Sequence, residues 1–295
     1  NMTEPGLTLK RTLWQGALFT LLACFLFSSQ DTLVKWLSSD YTLLQLLLVR
    51  SLLSVPVLIL AILVRFGRQG LTTTNSGAHI FRALLNLVAF LSYYFAISRM
   101  PLVDAISIVS AYPLFLTLLS GIVLAEYPNG RQVLAIITGF IGVIFIVQPS
   151  GSSVDWLGAG AAVFGCFLFA ALGIQTRRMS ASESTELMLL TGALLVLAVS
   201  LLAAPFLWQA PTREDFALMI LLGLVGLGGQ YALTNGFKYA PVYLVGTLEY
   251  STLGWAAFYG WLVFNDLPGA SVMAGAALVV GSGIVVLASE QDKGH

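Results

Sequence analysis

The chain has 295 residues, of which 58% are hydrophobic and only 9% are charged, and its 14 lysine and arginine residues balance 14 acidic residues. Soluble domains carry roughly 25% charged residues, so this composition excludes an ordinary soluble domain. It also excludes a disordered chain, which needs low hydrophobicity and high net charge. Without a basic excess, nucleic-acid binding is not expected. The two cysteines, Cys24 and Cys166, lie in apolar segments and do not form a disulfide framework.

Ten apolar segments follow one another along the chain, each near the roughly 20 residues that a helix needs to cross a bilayer. They cover residues 13–36, 42–64, 79–98, 102–125, 131–148, 155–176, 185–208, 214–237, 242–264 and 269–288. Short stretches with prolines, glycines and charges separate them, so no further domain is predicted. Because no water satisfies backbone groups in the bilayer core, each segment is predicted to be a helix. The sequence therefore predicts an all-α integral membrane protein with ten transmembrane helices.

Positive charges predict the orientation of these helices, because lysine and arginine accumulate in cytoplasmic loops. With the N-terminus inside, the basic residues on the cytoplasmic side are Lys10, Arg11, Arg65, Arg68, Arg82, Arg131, Arg177, Arg178, Lys238 and Lys293. Only Lys35, Arg99 and Arg213 then lie outside. We expect a multi-pass protein of the bacterial inner membrane with both termini in the cytoplasm.

The two halves of the chain match each other. Trp14-Gln15-Gly16-Ala17 matches Trp156-Leu157-Gly158-Ala159, and at the same offset Cys24 matches Cys166. Further along, Pro101 matches Pro241, and Glu126-Tyr127-Pro128 matches Asp266-Leu267-Pro268. Each half then holds five helices, and because five is odd the second half enters the membrane in the opposite orientation. This predicts two inverted repeats, residues 1–150 and 151–295, around a central cavity with substrate near the midplane.

Several single residues and short motifs complete the pattern: Arg50, Arg82, Tyr94-Phe95-Ala96, Met100-Pro101, Pro113, and the acidic-x-Pro motifs at Glu126 and Asp266. With the five-plus-five layout, they resemble the ten-helix EamA branch of the drug/metabolite transporter (DMT) superfamily over nearly the whole chain. The resemblance implies that helices 1, 3, 4, 6, 8 and 9 surround the cavity. It also implies an amino-acid exporter of the YddG-like kind. The Gln30–Lys35 and Arg82–Pro101 stretches resemble the S-adenosylmethionine carriers at least as much.

Asp31 and Arg50 lie within the first two predicted helices, where an ionisable group costs roughly 2.5–3.5 kcal/mol. Asp31 is either a carboxylate that binds a substrate ammonium or a proton, or the partner of Lys35 one turn later. Arg50 either binds a substrate carboxylate or ties helix 2 to neighbouring backbone carbonyls, and we favour the structural role.

Helices 3 and 4 add the binding candidates Asn86, Tyr94, Ser107, Ser110 and Tyr112. Asn86 offers both a donor and an acceptor. Tyr94 either lines a cavity or belongs to an outer aromatic belt. Pro113 removes a helical hydrogen bond, so it either frees a carbonyl toward the substrate or hinges the helix.

Helix 8 contributes closely spaced glycines and an amide near its middle. Gly226 and Gly229 favour close packing or bending, and Gln230 is a cavity candidate. The two glycines are therefore candidates for a structural or hinge role, and Gln230 is a candidate for substrate binding.

Helix 9 places Glu249, Thr252, Trp255 and Tyr259 within an arc of roughly 120°. Glu249 has no partner one turn away, so it either meets a cation across the bundle or is protonated. A carboxyl that changes protonation is what proton coupling requires. The two aromatic side chains either stack on the substrate or pack helices.

No HExxH, GxSxG, Walker or CxxC motif occurs, so neither an enzyme nor an ATP-driven pump is expected, and no metal or cofactor. No repeated acidic or carbonyl ring indicates a channel filter. We expect a secondary transporter that exports amino acids and related small metabolites. The alternatives are an S-adenosylmethionine or nucleotide-type carrier and a structural membrane module. Expected partners are the small-molecule substrate, the lipid bilayer, protons and a second copy in a homodimer.

Overall fold

The computed structural model describes residues 4–37, 40–99, 108–109, 111–147, 155–264 and 270–292, and all regular structure in these ranges is helical. The first half contains α1 (Glu4–Leu37), α2 (Leu43–Phe66), α3 (Ser76–Arg99), α4 (Tyr112–Leu124) and α5 (Gly130–Val147). The second half contains α6 (Trp156–Met179), α7 (Thr185–Leu207), α8 (Arg213–Tyr239), α9a (Val242–Glu249), α9b (Ser251–Phe264) and α10 (Ala270–Asp292). One 3₁₀ turn, Arg68–Leu71, follows α2. The all-helical prediction is confirmed.

The prediction of one continuous ninth helix is wrong, because the helix breaks between α9a and α9b. Tyr250 forms a turn there, and its amide bonds to the Thr247 carbonyl at 3.4 Å. Side chains of α1 satisfy carbonyls around the break: Cys24 Sγ donates to Leu248 O at 3.6 Å, and Ser28 Oγ donates to Thr252 O at 2.9 Å. These tertiary hydrogen bonds stabilise an interruption for which the local sequence contains no proline.

A second interruption precedes α4. Ile108 and Val109 are helical, Ala111 lies in a turn, and α4 begins at Tyr112. Pro113 is therefore in the first turn of α4, where its missing N–H costs no helical hydrogen bond. The Cys166 thiol of α6 donates to Val109 O at 3.7 Å, directly before this interruption.

Local caps begin the long helices of the second half. Asp155 Oδ1 accepts from the Gly158 amide at 2.9 Å, Ser184 Oγ from Leu187 at 3.3 Å, and Thr212 Oγ1 from Asp215 at 3.1 Å. Each cap satisfies one amide that the first helical turn leaves unpaired. The starts of α6, α7 and α8 are therefore encoded locally.

Five described helices have the length and composition to cross a bilayer: Thr12–Val34, Leu44–Phe66, Trp156–Met179, Thr185–Phe206 and Arg213–Tyr239. Large apolar side chains project from the outside of the bundle, including Trp156 (82% exposed) and Phe206 (86% exposed). Such exposure indicates contact with lipid rather than water. The chain is a multi-pass membrane protein.

Helix pairing follows a regular scheme. The most extensive contacts join α5 with α10, α1 with α8, α3 with α6, and α2 with α7. The α1–α8 contact is close because α8 presents glycines: a Cβ at Gly229 would lie 2.9 Å from Phe27 Cδ1, and one at Gly236 would lie 2.6 Å from Thr20 Oγ1. These pairs frame the space in which the cavities lie.

Candidate functional site

A cavity of about 400 Å³ lies between α1, α3, α4, α6, α8 and α9a–α9b. Three ionisable side chains of both charge signs line it: Asp31, Arg82 and Glu249. Its aromatic lining consists of Phe27, Phe90, Tyr93, Tyr112, Phe169, Phe237 and Tyr250. Its uncharged polar lining includes Gln30, Asn86, Thr176, Gln230, Thr234 and Thr252. The volume is within the roughly 300–1,000 Å³ range of small-molecule sites. A mainly apolar wall with a few polar groups is also typical of such sites.

Glu249 is the last residue of α9a and faces this cavity. Its Oε2 atom is buried and has no hydrogen-bond partner within the described chain. The Tyr112 hydroxyl on α4 interacts with the carboxyl group, and the Cys24 thiol on α1 lies near it. A carboxyl with one free, buried oxygen at a cavity wall is available to a substrate cation or a proton.

Asp31 reaches the cavity from α1, and Arg50 on α2 is the cation that interacts with it. Arg50 Nη2 also donates to the Gly226 carbonyl at 3.5 Å. A Cβ at Gly226 would lie 2.5 Å from Gln30 Oε1 and 3.0 Å from Arg50 Nε, so only glycine leaves room for these groups. Arg50 therefore links α1, α2 and α8 beside the cavity.

Arg82 is one of the basic residues that the sequence assigns to the cytoplasmic side at the opening of helix 3, and the structure places its side chain in the cavity wall. The residue is 5% exposed and lies within α3, where its side chain lines the cavity. Arg82 Nε donates to Thr176 Oγ1 at 2.9 Å, and Nη1 donates to Met188 O at 3.0 Å. A signal was available: Arg82, Asn86 and Phe90 are spaced four residues apart and so share one helix face.

The remaining predicted site residues fall into three groups. Asn86, Tyr112, Gln230 and Thr252 line the cavity, as does the hinge candidate Pro113. Ser107 and Ser110 lie outside the described residues, and so does the side chain of Tyr94. Trp255 and Tyr259 instead contact α1: the Trp255 and Phe25 ring centroids are 5.1 Å apart, and the Tyr259 hydroxyl is 2.6 Å from Ser29 Oγ. The break at Tyr250 turns this part of helix 9 toward α1.

A polar network, here called the Glu126 network, lies at one end of the cavity. Arg177 Nε on α6 donates to Glu126 Oε1 at 2.9 Å, and the amide of Val242 at the start of α9a donates to Glu126 Oε2 at 3.0 Å. Arg177 Nη1 also donates to the carbonyls of Phe237 and Lys238 at 2.9 and 2.8 Å. A left-handed residue, Ala125 (φ 55°), ends α4 and directs Glu126 into place. The network joins α4, α6, α8 and α9a, four of the elements that line the cavity.

The lining of this cavity offers groups for molecular recognition. Among the described residues, no group of three or more histidine, cysteine, aspartate and glutamate side chains is placed to hold a metal ion. Charges of both signs, free amides and aromatic rings suit a small molecule that carries both charge and an apolar part.

Comparison with known proteins identifies related transporters. A sequence model of the EamA-like transporter family matches residues 14–148 and again residues 156–288. The pseudopaline exporter of Pseudomonas aeruginosa is 25% identical over 90% of this chain and 93% of its own length. The riboflavin transporter of Vibrio cholerae is 28% identical, covering 90% of each chain, and the S-adenosylmethionine uptake transporter of Rickettsia bellii is 26% identical, covering 92% of each.

A solved crystal structure has the same fold. It superposes with a TM-score of 0.79 at 20% sequence identity, covering 92% of this chain and 96% of the other. At this identity the likeness concerns the fold alone.

Proposed function

Because the chain belongs to the EamA-like transporter family, we propose that it exports amino acids and related small metabolites as a secondary transporter of the inner membrane. The observation that carries the proposal is the 400 Å³ cavity, which is lined by carboxyl, guanidinium, amide and aromatic groups. The ammonium group of a zwitterion complements the carboxyl groups of the cavity, and its carboxylate complements the guanidinium group. Transport requires no cofactor and no bond-making by the protein.

Two inverted five-helix repeats, residues 1–150 and 151–295, are part of this proposal. If α1–α5 are exchanged for α6–α10, the extensive pairs α2–α7 and α5–α10 map onto themselves, and α1–α8 maps onto α6–α3. The matched residues Cys24 and Cys166 donate to carbonyls beside the two helix interruptions, one in each half. Broken helices at corresponding positions of two halves are typical of transporter binding sites.

Alternating access follows from this arrangement. The Glu126 network joins α4, α6, α8 and α9a, and in this proposal it acts as the gate at that end of the cavity. With both termini in the cytoplasm, as the loop charges indicate, this end is the inner one. Export then requires the network to break so that substrate enters from the cytoplasm.

Proton coupling through Glu249 and Asp31 completes the proposed mechanism. Glu249 faces the Tyr112 hydroxyl from α4 and the Cys24 thiol from α1, and Asp31 faces Arg50 from α2. A carboxyl group that exchanges its proton for substrate as access alternates would link export to the proton gradient.

An S-adenosylmethionine carrier is the second candidate function. The Rickettsia relatives named as S-adenosylmethionine uptake transporters match this chain at 24–26% identity over more than 90% of it. This ligand also carries a cation, a zwitterionic end and an aromatic ring, which are the features that the cavity wall complements.

The test is counterflow in proteoliposomes that contain the full chain. Vesicles are loaded with one unlabelled compound and mixed with its labelled form outside; the panel is threonine, methionine, phenylalanine, lysine, glutamate and S-adenosylmethionine. Accumulation of an amino acid supports the main proposal, and accumulation of S-adenosylmethionine alone moves the chain to the second. If folded protein accumulates none of these compounds, both substrate assignments are wrong.

A further inference from the structure

A second cavity of about 200 Å³ opens beside the first, between α2, α3, α7 and α8. The two cavities are adjacent, because four residues line both: Arg82, Asn86, Phe90 and Gln230. This shared boundary is here called the entrance. Elsewhere its lining is mainly aliphatic and includes Leu44, Leu58, Leu91, Leu189, Val196 and Val199, with Arg50, Ser51, Ser54 and Ser200 as the polar members. The site therefore has an apolar side cavity with a polar entrance.

Arg82 is a fixed cation at that entrance. Its Nε and Nη1 atoms are held by Thr176 and Met188, and it is 5% exposed. Within the described chain it forms no ion pair, and its Nη2 atom donates to no protein group. A buried guanidinium without a counter-charge is costly, so an anionic ligand is the complement that this position lacks.

Two amides complete the donor set. Asn86 lies one turn beyond Arg82 on the same face of α3, and Gln230 faces them from α8. Neither amide forms a hydrogen bond within the part of the chain that the structure describes. One guanidinium nitrogen and two free amides are donors suited to a carboxylate, whereas Asp31 and Glu249 disfavour an anion elsewhere in the first cavity.

We infer that the entrance formed by Arg82, Asn86 and Gln230 binds the carboxylate of the substrate, and that the side cavity holds the apolar group attached to it. The ligand class is an organic carboxylate with a branched aliphatic, thioether or aromatic side chain. This inference rests on the proposed function and adds the part of the substrate that determines selectivity.

Binding to the full chain in lipid nanodiscs tests the inference without requiring transport. The probes are leucine, leucinamide, which lacks the anion, and alanine, which lacks the group that fills the side cavity. Each is titrated while the thermal unfolding midpoint and the displacement of labelled leucine are measured. We expect leucine to bind at least tenfold more tightly than either analogue. Equal binding of all three, or binding of none, would overturn the inference.

Gly192→Leu is the decisive variant. Gly192 lines the side cavity, and a Cβ there would meet no atom within 4 Å, so the added side chain fills space rather than clashing. We expect leucine and methionine to bind at least tenfold more weakly, while alanine changes less than twofold. Gly160→Leu is the matched control, because its Cβ also meets nothing within 4 Å and the residue lines neither cavity.

Arg82→Gln tests the entrance. The variant should bind leucine and leucinamide equally, whereas Arg82→Lys, which keeps the charge but not the planar donor group, should retain part of the preference. Should both Arg82 variants fail to fold, Gly192→Leu still decides the matter.

Two further readings separate the alternatives. Native mass spectrometry with added phosphatidylglycerol asks whether the side cavity holds a lipid chain. A lipid that Gly192→Leu releases while leucine affinity stays unchanged would overturn the inference.

If leucine binds as expected but is not transported, the subsite stands and the proposed function fails. If amino acids are transported but Gly192→Leu weakens leucine and alanine binding equally, the proposed function stands and the subsite fails.

Discussion

Glu249 shows how a single residue acquires its environment from distant parts of the chain. The sequence places it in an apolar segment without a nearby partner, which made it a candidate for proton coupling. The structure surrounds it with Tyr112 from α4 and Cys24 from α1 and leaves Oε2 without a partner among the described residues. In the proposed mechanism, a proton on this carboxyl competes with a substrate cation.

Glu249→Gln should remove the pH dependence of transport. The amide keeps the size of the side chain but neither ionises nor releases a proton, so initial rates measured from pH 5.5 to 8.5 should vary less than twofold. Glu214→Gln, at an exposed position in the first turn of α8, is the control. A pH profile that is unchanged in Glu249→Gln would remove this residue from the mechanism.

The place of Arg82 in the cavity wall was not predicted from the sequence. Its position near the start of the third predicted helix indicated the cytoplasmic side, and no sequence signal was used to place it in a cavity wall. That placement depends on Thr176 and Met188, which reach it from α6 and α7. Asp31, Asn86, Gln230 and Glu249 could be selected as candidates because polar groups are rare in apolar helices. Which of them would share a cavity could not be derived from the sequence, because that depends on packing between helices.

At the scale of elements, the start of α6 depends on one side chain. Asp155 caps the helix, and Arg99 at the end of α3 lies 3.0 Å from its Oδ2 atom. The Gly158 amide, with a smaller contribution from Arg99, lowers the pKa of the Asp155 carboxyl below its ordinary value of 3.8, against the opposing effect of burial. The charged form therefore stabilises the folded protein above pH 4, and this contribution is lost as the pH falls through the lowered pKa.

Asp155→Ala should lower the thermal unfolding midpoint at pH 7 through loss of the cap. Asp155→Asn keeps a capping acceptor and should cost less. The difference in thermal midpoint between the native protein and Asp155→Ala should shrink as the pH falls below 4, because the native carboxyl then begins to take up a proton. A difference that persists undiminished at pH 3 would contradict the electrostatic part of this account.

The glycines of α8 act through packing with α1. Gly229→Leu should destabilise the protein by about 1–3 kcal/mol, because a Cβ there already lies 2.9 Å from the Phe27 ring. The measurement is the thermal unfolding midpoint in detergent, with Gly160→Leu as the control. A midpoint equal to the wild-type value would favour bending over packing as the role of Gly229.

The element boundaries illustrate which features local sequence encodes. The starts of α6, α7 and α8 have capping side chains that the sequence displays. The break in helix 9 has no such signal, because Cys24 and Ser28 stabilise it from α1. The apolar segment 242–264 therefore predicted one helix, which the structure interrupts at Tyr250.

For the whole molecule, composition and the ten apolar segments were enough to predict an all-helical membrane protein, whereas the EamA resemblance depended on particular residues and motifs. Ten apolar segments in 295 residues leave few other folds, since every backbone group in the bilayer must be paired within a helix. The lateral order of the helices has no comparable sequence signal, because lipid-facing and buried leucines look alike along the chain. The side cavity between α2, α3, α7 and α8 was therefore beyond prediction.

Loss of the Glu126 network should open one end of the molecule. In Glu126→Ala the Val242 amide and Arg177 lose their shared acceptor, so amide exchange across residues 242–247 should accelerate at least tenfold, equivalent to about 1.4 kcal/mol. Hydrogen exchange followed by mass spectrometry measures this, with Glu214→Gln as the control. Unchanged exchange would mean that the network does not hold α9a.

The two cysteines of this chain give it a built-in pair of chemical reporters. Both thiols are buried, and each donates to a carbonyl beside a helix interruption in the opposite half of the chain. Cys24 bonds beside the break in helix 9, and Cys166 bonds beside the interruption that precedes α4. A small maleimide or mercurial can react only after the corresponding contact opens. The labelling rate of each thiol, read by peptide mass spectrometry, therefore times the opening of its own interruption in the native sequence. A substrate that holds one conformation should slow one reaction and accelerate the other.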